Sequence, residues 1–231
     1  MPPRIGITTS FDDGTQSLDR RYVTAVATAG GMPFLLPMLE TQEAVRAAAS
    51  HLDGLVVPGG PAVTDGLVGS LPEDLDRNSE IRDETDRWWI EACWQRDLPI
   101  LGICYGMQRL NALAGGTIYG DVERQHADAI VHSQHRGGTT HPVQFHPNTT
   151  LADLLPEASI TVNTRHFQAI ASAGDGFSVA ATAPDGVVEA IEHESGKIFG
   201  VQFHPERMGD TMQPLFRRLI HLAAETVPPT S

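Results

Sequence analysis

The sequence predicts an α/β protein built on a mainly parallel sheet with helices on both faces. Three observations carry this. Apolar runs alternate with segments of helical periodicity, several of the runs are continuous instead of alternating, and two of them stop at glycine-rich turns, Pro58-Gly59-Gly60 and Gly102 to Gly106. A strand that is apolar at every position is buried on both faces, which a parallel sheet with crossover helices provides.

The elements follow in order. RIGITT (residues 4–9) is short and β-prone, and the polar turn FDDG separates it from a helix over 18–29 with Leu18, Tyr22, Val26 and Ala29 on one face. Phe34–Leu36 reads as a strand, Thr41 to Ser50 as an Ala-rich helix, and LDGLVVPGG as a strand ending at Pro58-Gly59-Gly60. Residues 61–80 are rich in Gly, Pro, Asp and Glu and read either as a lid or substrate loop or as a solvated acidic loop. A helix over 81–96 carries Trp88, Trp89 and Cys93, with Cys93 expected to be a small buried hydrophobe. The two tryptophans fit either the core or an interface such as a homodimer would use. Leu98 to Ile103 is a strand, and a helix with Leu110 and Leu113 follows to Gly115. The second half is richer in strands: VVEAIEH and KIFGVQF flank a Ser195-Gly196 turn as a hairpin, and a helix over 211–224 precedes the terminal VPPTS.

Composition bounds the function. The 231 residues, 41% hydrophobic and 19% charged, fit one globular domain over 1–231. With 16 basic against 29 acidic residues the net charge is −13, which disfavours nucleic acid as a partner. No stretch approaches the roughly 20 apolar residues of a membrane span, and MPPRIGITTSFDDG lacks a signal-peptide core, so no membrane partner and a cytoplasmic location are expected. Two cysteines are too few for a disulfide framework and too far apart for a C-x-x-C pair.

Cys104 has a more specific reading. Gly102-Ile103-Cys104-Tyr105-Gly106 between a strand and a helix is the thiol form of a nucleophile elbow, with glycines permitting the sharp turn and the helix N-terminus favouring a thiolate. The alternative is a buried cysteine at a glycine-containing strand end. A nucleophilic thiol needs a base and the base an orienting group; GVQFHPE supplies both, with His204 leaving the strand and Glu206 two residues on. The Gly59-Gly60 turn and the N–H of Tyr105 are candidates for an oxyanion hole.

PGG, GICYGMQ and GVQFHPE, in that order, resemble the class I glutamine amidotransferase superfamily, peptidase C26-like, over nearly the whole chain. The resemblance implies a flavodoxin-like three-layer fold, here with an antiparallel hairpin portion. It implies Cys104, His204 and Glu206 as triad, Gly60 and Tyr105 as oxyanion hole, and Gln108 beside the glutamyl moiety. VNTRHFQAI and VAATAPDGVVEAIEH, together with GGTIYGDV and His141–Val143, resemble the γ-glutamyl-γ-aminobutyrate hydrolase branch, where a V-N-S-x-H-x-Q segment precedes A-x-D-G-x-V-E-A. Asn163, Thr164 and His166 become candidate substrate contacts on that basis, with His166 equally readable as a loop anchor. Three departures bear on the leaving group: Tyr105 stands where the branch has Arg, Thr164 replaces Ser, and Gly-Gly-Pro-Ala replaces Gly-Gly-Pro-Asp with no Tyr-Gly-Glu after it.

The expected reaction is hydrolysis of a small γ-glutamyl amine through a γ-glutamyl thioester, with no cofactor and no metal. A glutaminase delivering ammonia to a separate synthetase partner is the alternative, and a non-catalytic binding domain gives no reason for the triad. A metal protein is also weighed, because His126, His132, His135, His141 and His146 crowd one stretch; its polar, Gly-rich character favours solvated loop histidines.

Overall fold

A computed structural model describes residues 1–73, 75, 77–155 and 157–226. The terminal VPPTS lies outside them. β1 (Arg4–Ile7) leads into a small hairpin, β2 (Ser10–Asp12) and β3 (Thr15–Ser17). α1 (Arg20–Thr28) starts at Asp19, whose carboxylate accepts the Arg21 N–H at 2.9 Å. β4 (Met32–Leu35), α2 (Gln42–Ala49), β5 (Gly54–Val57), β6 (Leu67–Val68), α3 (Glu80–Gln95), β7 (Ile100–Ile103) and α4 (Tyr105–Leu113) follow. Next come β8 (Thr117–Tyr119), α5 (Val122–Gln125), β9 (Thr140–Phe145), α6 (Thr150–Leu154) and β10 (Ser159–Asn163). β11 (Ala169–Ser172), β12 (Phe177–Thr182), β13 (Val188–His193), β14 (Ile198–Val201) and α7 (Gln213–Thr226) complete the chain.

Nine strands form the main sheet in the order β10-β9-β12-β13-β14-β7-β5-β1-β4. Neighbours from β14 to β4 are parallel and those from β10 to β14 antiparallel. The parallel sheet and the β13–β14 hairpin, turning at Gly196 with φ 68°, match the sequence expectation. The antiparallel part is larger than one hairpin because β9 and β10 extend it. The segment 61–80 is also less loop-like than its composition suggests: β6 pairs with β8, and β8 with β11, in a separate three-stranded sheet.

Two apolar layers flank the parallel strands. β5 is buried at every position and alternates its side chains: Val56 packs with Ile5, Ile7, Val26, Leu215 and Leu219 on one face, Leu55 and Val57 with Val45, Trp89, Ile90 and Leu110 on the other. α1 and α7 cover the first face; α2, α3 and α4 cover the second. This double burial explains the continuous apolar runs. Trp89 belongs to the core, 2% exposed with its indole N–H donating to the Pro37 carbonyl at 3.2 Å, and Trp88 is half-buried against the same layer. Cys93 is fully buried, and burial pushes its thiol up to about 12, so it packs as a hydrophobe.

Candidate active site

Three neighbouring parallel strands deliver the site to one edge of the sheet. β5 runs into Gly59-Gly60, β7 into Cys104, and β14 through Gln202 and Phe203 to His204. The carboxyl edge of an open parallel sheet is where ligands bind in such folds, since the loops there converge.

The turn at Cys104 is sharp. Its φ of 53° and ψ of −108° lie in a region that a non-glycine residue occupies only when the surroundings hold it there. The flanking glycines explain how. A Cβ on Gly106 would run into the Val57 carbonyl oxygen, and one on Gly102 would lie 2.7 Å from the Gly106 backbone. Strand and helix therefore meet backbone to backbone. The Cys104 N–H donates to Val201 at 2.8 Å, and its carbonyl accepts the Gln108 N–H at 3.1 Å as the first bond of α4. The Tyr105 N–H lies ahead of that bond, so no partner within the helix can take it. Cys104 is 8% exposed, at the positive end of α4.

His204 is held from three sides. Its Nδ1 lies 2.9 Å from Glu206 Oε1 and 3.4 Å from the Tyr22 hydroxyl, while its backbone N–H and carbonyl are both bonded to the Asn163 side-chain amide at 3.1 and 2.9 Å. Burial works to lower its pKa, but pairing with Cys104 and Glu206 outweighs burial and raises it to about 9. At neutral pH the imidazole thus carries a proton next to the sulfur. Glu206 is buried, with Arg207 Nε 3.3 Å from the same Oε1.

The Gly59-Gly60 turn is packed around a buried arginine. Arg82, 1% exposed on α3, donates to the Gly59 carbonyl at 3.1 Å and to Ser10 at 3.0 Å, pairs with Asp86 at 3.3 Å, and stacks 4.6 Å over the Tyr105 ring. A Cβ on Gly60 would meet the guanidinium at 2.5 Å, and one on Gly59 would meet His204 at 2.7 Å. Turning the Gly59 carbonyl toward Arg82 leaves the Gly60 N–H of that trans peptide facing away from the guanidinium. The Tyr105 side chain faces away, bonded through its hydroxyl to Asn78 at 2.9 Å and Asp83 at 3.3 Å.

A narrow cleft opens on Cys104 and is lined by Gly60, Ala62, Gln108, Arg165, His166 and Gln168 among others. Of the expected substrate contacts, Gln108 and His166 reach this wall. Gln108 Nε2 donates to the Gln168 carbonyl at 2.9 Å and to Gln202 Oε1 at 3.0 Å. Asn163 is spent on the His204 backbone, and the Thr164 hydroxyl donates inward to the His132 carbonyl at 2.8 Å. Both are positioned as supports of the site, because their polar atoms are already bonded within the protein. Two residues escaped the sequence reading. Gln202 donates to the Cys104 sulfur at 3.4 Å, and its place two residues before His204 was the available signal. Arg165 is exposed at the mouth and is the sole Arg or Lys among the described residues lining the cleft.

The expectation of solvated loop histidines holds for His135, which is exposed; His126 and His146 are half-buried, and for His132 and His141 it fails outright. His132 is 0% and His141 4% exposed, and both meet His166 and Glu189 in the interior. β9 inserts His141 into the antiparallel part of the sheet, a placement that a polar, Gly-rich composition does not reveal.

The Peptidase C26 family model matches residues 4–206. A candidate glutamine amidotransferase of Mycobacterium tuberculosis is 36% identical over 211 residues, covering 88% of this chain and 66% of that protein. The γ-glutamyl-γ-aminobutyrate hydrolase PuuD of Escherichia coli is 32% identical over 204 residues, covering 83% and 79%. Among solved structures, the glutaminase domain of Trypanosoma brucei CTPS with bound acivicin superposes with a TM-score of 0.68 over 98% of this chain and 95% of that one, at 16% identity. That likeness concerns the fold.

Proposed function

Because the chain belongs to the Peptidase C26 family, whose members here are glutamine amidotransferase-like hydrolases, we propose that it hydrolyses the γ-glutamyl amide bond of a small γ-glutamyl amine. The observation that carries this reading is the strained Cys104 elbow at the sheet edge that also delivers His204, whose Nδ1 lies 2.9 Å from Glu206 Oε1. The Cys104 thiolate attacks the side-chain carbonyl, and the N–H groups of Gly60 and Tyr105 take the developing oxyanion. As the C–N bond breaks, His204 gives its proton to the leaving amine, leaving a γ-glutamyl thioester and a neutral imidazole. Water then attacks the thioester and loses a proton to His204; glutamate leaves, and thiolate and imidazolium are restored. Glu206 stays ionised throughout and steadies the imidazolium. Gln202, donating to the sulfur, holds the thiolate in line.

The branch is tested by offering glutamine, γ-glutamyl-GABA and γ-glutamyl polyamines to the purified chain and measuring glutamate release. Turnover of a larger amide without any partner, abolished in Cys104→Ala, is the expected result. A glutaminase that supplies ammonia to a synthetase is the second reading, favoured by the amidotransferase description of the Mycobacterium relative. Cleavage of glutamine alone, and only with a synthetase present, would select it; activity retained in Cys104→Ala would remove both.

A further inference from the structure

Behind the cleft lies a buried cluster that the proposed reaction does not use. His132, His141, His166 and Glu189 are between 0% and 4% exposed, and one ligand atom from each lies within 4.8 Å of all the others. His132 comes from the loop before β9, His141 from β9, His166 from the segment between β10 and β11, and Glu189 from β13. Four separate pieces of backbone thus aim their side chains at one point.

The hydrogen bonding around this point is one-sided. Each imidazole has one nitrogen engaged outward: His132 Nε2 with Asp185 Oδ2 at 2.8 Å, His141 Nδ1 with the Pro142 carbonyl at 3.1 Å, and His166 Nδ1 with the Gln168 carbonyl at 2.9 Å. All three acceptors lack hydrogen atoms to give, so the outward nitrogens carry protons, and in the neutral rings that bind a metal the inward nitrogens present lone pairs. The inward atoms, His132 Nδ1, His141 Nε2, His166 Nε2 and both carboxylate oxygens of Glu189, are buried without a hydrogen-bond partner. Five orphaned acceptors facing one another are costly in a protein interior.

The separations show what would satisfy them. Glu189 Oε1 lies 3.7, 3.3 and 3.5 Å from the inward nitrogens of His132, His141 and His166. These exceed the 2.7–3.2 Å of ordinary N–H···O bonds. The 3.3 and 3.5 Å separations fall on the edges of a tetrahedron whose centre is about 2.0–2.2 Å from each corner, roughly 3.3–3.6 Å, the geometry of Zn²⁺ with imidazole and carboxylate ligands, and small side-chain rotations would draw the remaining atoms, all within 4.8 Å of one another, onto it. The outward carbonyl and carboxylate partners are the arrangement that orients histidine ligands and raises their basicity. We propose that His132, His141, His166 and Glu189 form a four-coordinate site for a divalent transition-metal ion of the Zn²⁺ type. With four protein ligands and no open face, the site is structural, clamping β9 and β13 to the segment that carries His166 to the wall of the cleft.

This inference is independent of the proposed hydrolysis, and its test reads metal content. The full chain is purified, treated with chelator and titrated with Zn²⁺, and with Co²⁺ as a spectroscopic probe, in wild type, Cys104→Ala, His166→Gln, Glu189→Gln and Asp185→Asn. About one ion per chain is expected in wild type and Cys104→Ala, with a tetrahedral Co²⁺ spectrum. Removing one ligand in His166→Gln or Glu189→Gln should abolish stoichiometric binding, and Asp185→Asn should weaken it about 10- to 100-fold. At free metal near 100 times Kd, the wild-type Tm should rise by about 5–10 °C. No saturable binding by the wild type would overturn the proposal, as would binding lost in Cys104→Ala, which would put the ion on the nucleophile. Should the ligand variants not fold, the wild-type stoichiometry and Asp185→Asn decide between a metal site and a purely proton-bridged His–Glu cluster.

Discussion

At the scale of single residues, the proposed chemistry rests on keeping a proton on His204 beside the Cys104 sulfur. Glu206 opposes the desolvation that would strip that proton, so replacing it with a neutral isostere must lower the His204 pKa from about 9. In Glu206→Gln the alkaline limb of kcat/KM should therefore move to lower pH, with kcat falling at least tenfold at the optimum. A pH–rate profile with an unmoved limb would show that Glu206 does not tune the base. Arg165 offers a second residue-level prediction. A glutamyl substrate carries a carboxylate, and Arg165 is the cation at the mouth of a cleft in a protein of net charge −13. Arg165→Ala should raise KM for a γ-glutamyl amide about tenfold with kcat little changed, the mark of lost uniform binding; a fall in kcat alone would place the residue elsewhere in the cycle.

At the scale of elements, the glycines of the elbow set how closely β7, α4 and β5 can approach. Since a Cβ on Gly106 would collide with the rigid backbone at Val57, and not with a side chain that could swing aside, Gly106→Ala should cost about 3 kcal/mol in urea unfolding. A loss under 0.5 kcal/mol would mean that helix and strand can separate without penalty. This part of the molecule was legible in the sequence because its signals are local: Gly102, Cys104 and Gly106 are adjacent, and His204 and Glu206 share one turn. Arg82 was not legible. On α3 it sits among charges and looks solvated; only the arrival of Gly59, Ser10 and Tyr105 from other elements makes it a buried support. β9 was missed for a related reason, since THPVQF buries alternate residues, but Pro142 and polar side chains mask the period of two.

At the scale of the whole molecule, residues far apart in the chain become neighbours through the antiparallel half of the sheet, and no window of sequence could display the meeting of His132, His141, His166 and Glu189. The same scale governs stability against pH, where groups with opposite shifts bound a window. Asp19 is held below its ordinary 3.8 by the Arg21 N–H and side chain, and Asp121 by Arg136; at Asp53, burial pushes upward but Arg4 prevails and lowers it. Stability from these carboxylates is present above 3.8 and lost as pH falls through their lowered values. His204 acts in the opposite sense. Raised above 6.5, it favours the folded chain fully below 6.5, and that contribution is lost as pH climbs through about 9. Alkaline conditions also leave the chain's excess of 29 acidic over 16 basic residues least offset by protonated histidines, adding self-repulsion. Thermal unfolding followed from pH 3 to 10 should therefore show a Tm plateau between about 4.5 and 6.5, a steep acid fall and a gentler decline from 6.5 to 9. In Glu206→Gln, where His204 no longer has a carboxylate to hold its proton, the alkaline decline should flatten; an unchanged slope in that variant would assign the pH response to groups other than Glu206, and a wild-type Tm that peaks above pH 8 would remove His204 as its source.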